Sequence, residues 1–68
     1  MELKINNQLK SFEQETISVQ ELLDLERPNK QNGIAIGVNG SIVSKTNWEN
    51  TFLFPSDDIL IITATQGG

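Results

Sequence analysis

The best starting point for predicting the fold is the stretch Ile59-Leu60-Ile61-Ile62-Thr63-Ala64-Thr65-Gln66-Gly67-Gly68. It opens on an unbroken apolar run, which predicts a central strand with both faces at least partly covered. It closes on two glycines, the residue type that loses most conformational freedom on folding. We therefore predict a domain over residues 1–66 and a flexible Gly-Gly tail over residues 67–68, able to enter a channel too narrow for side chains. In an arbitrary protein, two terminal glycines are more often a frayed end without function. A role for this tail therefore depends on whether the remaining sequence specifies a scaffold that presents it.

Composition excludes several classes of function. The 68 residues are 37% hydrophobic and 21% charged, which is typical of one small soluble globule. Cysteine and histidine are absent, so the thiol nucleophile, the commonest general base and the commonest metal ligand are missing. We therefore expect no enzyme activity, no metal site and no cofactor bound by this chain. The net charge of −4 disfavours nucleic acid and favours a protein partner with a basic surface.

The sequence also bears on location. Residues Met1–Lys4 lack the basic and apolar regions of a signal peptide, and no apolar run approaches membrane-spanning length. The absence of cysteine fits a reducing compartment. We expect a cytoplasmic protein without membrane association, and a monomer when it is alone.

Two β-hairpins are predicted. Residues 1–5 alternate between apolar and polar side chains, which indicates a half-buried strand, and Asn6-Asn7 can form the tight turn after it. Residues 34–38 and 41–44 form a second pair of strands. Asn39-Gly40 between them is the strongest short-range hairpin signal in the chain, because both residues tolerate the positive φ of a type I′ turn.

A short helix is predicted after the first hairpin. Ser18 and Glu21 have the spacing of a capping box, in which the hydroxyl and the carboxylate each accept a backbone N–H of the other residue. Pro28 ends the helix by restricting the conformation of the residue before it. One apolar face of this helix should cover the sheet, and it consists of Val19, Leu22, Leu23 and Leu25.

The last part of the chain completes the topology. Residues 45–50 are predicted to cross between strands through a single helical turn, with Trp48 anchored in the core. The element order is then strand, strand, helix, strand, strand, crossing segment, strand. The simplest closed arrangement places the first and last strands parallel at the centre, with a hairpin on either flank. This is an α+β fold of the β-grasp (ubiquitin-like) type: a mixed sheet of four to five strands with one helix packed across one face.

Several stretches together carry a family resemblance. They are Leu3-Lys4-Ile5-Asn6-Asn7, Ser18-Val19-Gln20-Glu21-Leu22-Leu23, Ile34-Ala35-Ile36-Gly37-Val38-Asn39-Gly40, Ile42-Val43, Trp48 and Ile61-Ile62-Thr63-Ala64-Thr65-Gln66-Gly67-Gly68. In these motifs the chain resembles, over essentially its whole length, the ThiS family, the small sulfur carriers of thiamine thiazole synthesis. One departure is Ser56-Asp57-Asp58, because the family usually has Gly-Asp before the last strand.

The resemblance implies a chemical role for the tail. The Gly68 carboxylate would be adenylated with ATP by a ThiF-like activating enzyme, and sulfur from a donor such as a cysteine desulfurase relay would convert it to a thiocarboxylate. A ThiG-like thiazole synthase would then accept that sulfur. Gly68 is the modified residue in this scheme, whereas Gly67 and Gln66 give clearance in the partner's channel. ATP and the sulfur donor are used by the partner, so the chain itself is a protein co-substrate.

Partner docking is predicted on the sheet face opposite the helix, through hydrophobic residues rimmed by acidic side chains. The candidates are the two alternating pairs of the last strand and one phenylalanine, namely Ile59 with Ile61, Leu60 with Ile62, and Phe54. Alternation along a strand means that only one of the two pairs can point outward. For each candidate, a place in the core is an equally good alternative.

Three other functions stay open. Molybdopterin-type sulfur carriers resemble this chain in fold and Gly-Gly end, although they generally run longer and approach the tail through different residues. A ubiquitin-like protein modifier, conjugated through Gly68 to lysines, would use the same acyl-adenylate chemistry. A plain interaction module with incidental glycines is the third. The short length and the Thr-Ala-Thr-Gln approach favour the thiamine pathway.

Overall fold

The computed structural model of the chain describes residues 1–29 and 31–63. In chain order its elements are β1 (Glu2–Ile5), β2 (Gln8–Ser11), β3 (Ile17–Ser18), α1 (Val19–Glu26), β4 (Ile34–Val38), β5 (Ser41–Val43), a 3₁₀ turn (Lys45–Asn47), β6 (Phe52–Leu53) and β7 (Asp58–Thr63). Within these residues, five strands form a mixed sheet in the order β2-β1-β7-β4-β5. β1 and β7 run parallel at its centre, and the other neighbours are antiparallel. The predicted α+β, β-grasp arrangement is confirmed.

The two hairpin turns have the predicted geometry. Asn6 and Asn7 have φ angles of 49° and 67°. Asn39 and Gly40 have φ angles of 51° and 86°. Two consecutive positive φ values are typical of the type I′ turn, whose twist matches that of the strands it joins. Asparagine tolerates this left-handed region because its short polar side chain can form local hydrogen bonds.

The predicted capping box begins α1. The Ser18 hydroxyl accepts the Glu21 N–H over 3.1 Å, and the Glu21 carboxylate accepts the Ser18 N–H over 2.9 Å. The helix ends at Glu26, and Arg27 leaves helical geometry immediately before Pro28. α1 has eight residues, and within the described ranges no helix has the length and apolar character that a membrane crossing requires.

The apolar face of α1 is narrower than predicted. Three of the four residues assigned to it are fully buried, namely Val19, Leu22 and Leu23. Leu25 is 51% exposed, so its predicted place on this face is wrong. At about 100° per residue, Leu25 lies roughly 110° from the centre of the buried stripe. Glu26 occupies the next stripe position, where its carboxylate is 2.6 Å from the Lys10 ammonium of β2.

The hydrophobic core lies between α1 and one face of the sheet. It consists of Leu3, Ile5, Ile17, Val19, Leu22, Leu23, Ile36, Trp48, Leu53, Ile59 and Ile61. Trp48 follows the 3₁₀ turn and is buried, and its indole N–H donates to the Val43 carbonyl over 3.0 Å. This bond satisfies the indole N–H, so the large apolar side chain can be buried without an unpaired donor. The predicted place of Trp48 in the core is confirmed.

A second sheet, made of two short strands, was not predicted. Ile17 pairs with Leu53 and Ser18 pairs with Phe52, so β3 and β6 run antiparallel. Strands of two residues are too short for a period-2 pattern to appear in the sequence. Because β3 leads directly into α1, this pairing holds the N-terminus of the helix against the segment that leads to β7.

Candidate partner-binding face

The central strand β7 divides its side chains between two environments. Ile59 and Ile61 point into the core and are 0% and 6% exposed. Leu60 and Ile62 point to the opposite side and are 48% and 44% exposed. Of the two predicted pairs, the outward one is therefore Leu60 with Ile62. The unbroken apolar run predicted that both faces of this strand are at least partly covered. α1 covers one face of β7, whereas the described residues leave the other face, with Leu60 and Ile62, about half exposed.

Strand register places further apolar residues beside this pair. Gly37 of β4 lies opposite Leu60, and Ile42 of β5 lies opposite Gly37. Ala35 lies opposite Ile62 in the same way. Directly opposite residues share one face of a sheet, so these five positions form one continuous surface. We call it the apolar patch: Ala35, Gly37, Ile42, Leu60 and Ile62. Its large side chains, Ile42, Leu60 and Ile62, are exposed, and contiguous exposed apolar surface is a common feature of interaction sites.

A groove crosses the apolar patch. It has a volume of about 380 Å³ and is lined by Asn7, Gly37, Gly40, Ile42, Asp58 and Leu60. Gly37 is its floor: a β-carbon built there would lie 3.8 Å from the Leu60 Cβ and 3.9 Å from the Ile42 Cδ1. Those are ordinary van der Waals separations, so the fold would accept a side chain at this position. The missing side chain leaves the space between Leu60 and Ile42 open.

Charged residues border the groove on one side. Lys4 of β1 lies opposite Asp58 of β7, so both belong to the outward face. They do not form an ion pair, because the one salt bridge among the described residues joins Lys10 to Glu26 on the helix side of the sheet. The Asp58 carboxylate is thus exposed at the groove without a cationic partner in this part of the chain.

Asn39 ties the second hairpin to the start of β7. Its amide nitrogen donates to the Asp57 carboxylate over 3.0 Å, and its amide oxygen accepts the Asp58 N–H over 2.9 Å. The other Asp57 oxygen accepts the Phe54 N–H over 2.8 Å. Both Asp57 oxygens therefore accept hydrogen bonds within the turn, which indicates a structural role for Asp57 and not acid/base chemistry.

Asn6 makes a similar link from the first hairpin. Its side-chain oxygen accepts the Ile61 N–H over 2.8 Å, and its backbone N–H donates to the Ile59 carbonyl over 3.0 Å. The side chain thus replaces a strand partner at the point where β1 turns away from β7. The sequence predicts turns at Asn6 and Asn39 but does not indicate these bonds, since turn propensity carries no information about partners distant in sequence.

Phe54 and the tail residues are the remaining predicted site residues. Phe54 is 69% exposed in the connection between β6 and β7, and it does not line the groove. Gln66, Gly67 and Gly68, predicted to carry and clear the sulfur, lie outside the described residues. The docking and sulfur-carrying roles of all these residues stay predictions.

Titratable groups away from the face have structural contacts. Hydrogen bonds from Gln31 and then Gln20 hold the pKa of the Asp24 carboxyl below its ordinary value of 3.8. The Gln31 side chain, in the loop after α1, thus donates to Asp24 of the helix and also to the Arg27 carbonyl at its end. These two bonds join α1 to the loop that follows it. Within residues 1–29 and 31–63, no cluster of acidic side chains is arranged to hold a metal ion.

The mixed sheet, the helix α1 packed across one of its faces and the exposed opposite face define a class, the small ubiquitin-like β-grasp domains. Residues 3–68 match the ThiS family, and the chain belongs to that family of small sulfur carrier proteins. A comparison with curated proteins gave no significant match.

Solved structures share the fold over the full length of the chain. The crystal structure of the thiamine biosynthesis protein ThiS from Geobacter metallireducens has a TM-score of 0.88 at 20% identity, covering 100% of both chains. The NMR solution structure of a thiamine biosynthesis protein from the same organism has a TM-score of 0.82 at 20% identity, covering 100% of this chain and 88% of that one. At this identity the similarity concerns the fold.

Proposed function

We propose that this chain is a sulfur carrier of thiamine biosynthesis that bears sulfur on the carboxylate of Gly68. The observation that carries the proposal is the ThiS family match, which extends to residue 68 and so includes both glycines. The fold supports it, because the strand that leads to this tail is the central one, held by β1 on one side and β4 on the other.

The chemistry begins with activation of a poor electrophile. A carboxylate resists nucleophiles because of its negative charge, so a ThiF-like partner adenylates Gly68 with ATP and releases pyrophosphate. A persulfide sulfur then attacks the acyl carbon and AMP leaves. This leaves an acyl disulfide that joins the carrier to the donor. A thiol then attacks the donor's sulfur and forms a disulfide with it, and the S–S bond to the carrier breaks to release the terminal thiocarboxylate. A ThiG-like thiazole synthase accepts this sulfur into the ring, and the carrier returns to the carboxylate.

The described residues contribute docking to this scheme. The apolar patch offers partners a hydrophobic surface beside the acidic side chain of Asp58. Buried apolar contact supplies affinity, whereas complementary charge speeds encounter and fixes orientation. The partners supply ATP binding, the sulfur donor and the catalytic groups, in keeping with a chain that contains no histidine and no cysteine.

Intact-mass spectrometry tests the proposal. The chain is incubated with a ThiF-like enzyme, ATP and a persulfide donor, and its mass should rise by the difference between one sulfur and one oxygen atom. The variant lacking Gly68 is the control and should keep its mass. A wild-type chain that never gains this mass, or a truncated chain that still does, would overturn the proposal.

The acceptor is identified by a separate experiment. The ThiS family match favours thiazole synthase over the larger subunit of molybdopterin synthase as the partner that takes the sulfur. Immobilised carrier should therefore retain the first and not the second. Higher-mass adducts with other proteins that resist reducing agent would instead indicate a ubiquitin-like modifier.

A further inference from the structure

We propose that the groove over Gly37 binds a basic side chain of the activating enzyme, an arginine or a lysine. The aliphatic stem lies between Leu60 and Ile42, and the cation meets the Asp58 carboxylate. This inference rests on the proposed function, because it assigns a contact to the adenylating partner. The proposed function does not specify which type of partner side chain the groove binds or which residues of this chain bind it.

The shape of the groove fits the stem of such a side chain. Its walls are the apolar side chains of Leu60 and Ile42, and its floor is the backbone at Gly37. Arginine and lysine bury their methylene stems along apolar surface while keeping the charged head in a polar environment. Neither the backbone conformation nor crowding requires a glycine at position 37, since a β-carbon there would meet only ordinary contacts. The absence of a side chain at Gly37 is therefore best explained by what the groove receives.

The polar end of the groove fits the charged head. Asp58 lines the groove and has no ion pair among the described residues, while Asn7 adds an amide at the same surface. Asp58 is exposed in the free chain, and a partner that covers the groove would strengthen the attraction between this carboxylate and a cation by displacing the water around them. The chain as a whole carries a net charge of −4, so a basic partner surface is also favoured at long range.

Two substitutions test the two halves of the groove. Gly37→Ala fills the floor, and Asp58→Asn removes the charge while keeping the size of the side chain. We expect each to weaken binding to the ThiF-like enzyme about tenfold, comparable to the loss of one interface anchor. The loss should fall on the KM for carrier in the adenylation assay and leave kcat close to that of the wild type. Glu49→Gln is the matched control: it removes the same charge from an exposed residue outside the groove and should bind normally.

A double-mutant cycle identifies the occupant. Surface arginines and lysines of the enzyme are changed singly to alanine, and each is combined with Asp58→Asn. The proposal expects one basic residue whose loss costs far less in the Asp58→Asn background than in the wild type. Circular dichroism and thermal melts of Gly37→Ala and Asp58→Asn establish that both variants are folded.

The outcomes separate this inference from the proposed function. If the wild-type chain is adenylated but Gly37→Ala and Asp58→Asn bind as tightly as Glu49→Gln, the groove is not the contact and the inference is overturned. The same conclusion follows if both variants weaken binding but no basic residue of the enzyme couples to Asp58. If the wild-type chain is neither bound nor adenylated, the proposed function itself fails.

Discussion

At the scale of single residues, Ser56 holds an unusual backbone conformation. Its φ is 73°, in the left-handed region, and its N–H donates to the Glu2 carbonyl over 2.8 Å. It stands in the turn before β7. The left-handed region costs a residue with a β-carbon about 1–2 kcal/mol. Glycine avoids this strain but loses more conformational entropy on folding, which offsets part of the gain.

We predict that Ser56→Gly raises the free energy of unfolding by up to about 1 kcal/mol, because the backbone strain it relieves exceeds the additional entropy that glycine loses on folding. Urea denaturation of both proteins measures the difference. Ser56→Ala is the control, and it should not stabilise the fold, because it keeps the β-carbon. A Ser56→Gly chain less stable than the wild type would show that the turn does not strain Ser56.

The Asp24 carboxyl gives a prediction about pH. Its folded-state pKa is lowered, chiefly by the hydrogen bond from Gln31 and then by that from Gln20. A lowered pKa means that the contact stabilises the fold above the ordinary value of 3.8 and is lost as pH falls below it, through the folded-state pKa. NMR titration of the side-chain carbonyl carbon should give a midpoint below 3.8 in the wild type. Gln31→Ala should move that midpoint upward, and a wild-type midpoint at or above 3.8 would contradict the account.

At the scale of elements, the capping box determines where α1 begins. Ser18 is buried, and its hydroxyl is the acceptor for the Glu21 N–H. We predict that Ser18→Ala lowers the free energy of unfolding by about 1–2 kcal/mol, because the Glu21 N–H then loses its acceptor near the core. Glu21→Gln should change stability little, since glutamine can also close the box. Equal losses in the two variants would argue against a capping role for the hydroxyl.

Sequence reasoning succeeded for elements whose signals are local. The Asn39-Gly40 turn needs two residues with positive φ, and the Ser18 cap needs a partner three residues away, so both can be found within a short window. The parallel centre of the sheet was predicted because it is the simplest closed arrangement for this order of elements. Leu25 was misplaced because a two-turn helix offers too few positions to fix the centre of its apolar stripe.

The parts that could not be predicted depend on contacts between distant residues. β3 and β6 are two-residue strands that exist only because the fold brings Ile17 and Leu53 together. The outward direction of Leu60 depends on the side of the sheet that α1 covers, and the apolar run itself gives no preference. The groove at Gly37 requires the register of three strands, from β5 through β4 to β7.

At the scale of the whole molecule, one face of the sheet packs against the core, and we propose that the opposite, exposed face has the role of docking partners. Two adjacent residues of β7 separate these roles, because Ile59 is fully buried whereas Leu60 is about half exposed on the apolar patch. We predict that Ile59→Ala lowers the free energy of unfolding by about 2–5 kcal/mol through the cavity it leaves. Leu60→Ala should cost less than about 1 kcal/mol in stability.

Binding should show the opposite order. Leu60→Ala should weaken association with the ThiF-like enzyme about tenfold or more if the apolar patch is the docking surface. Calorimetric binding measurements on the folded variants compare it with Leu25→Ala, which removes an exposed leucine from the helix side of the domain and should bind as the wild type does. Equal affinities for all three proteins would place docking elsewhere.

We propose that sulfur is carried on Gly68, and locating the sulfur within the chain tests this proposal without an intermediate step. The chain is treated with the activating enzyme, ATP and a persulfide donor, and its C-terminal peptide is then fragmented in the mass spectrometer. We predict that the replacement of one oxygen by one sulfur appears in every fragment that contains Gly68 and in no fragment that ends at Gly67 or earlier. An unchanged Gly68 in a reaction that consumes ATP, or sulfur found on any other residue, would contradict the account.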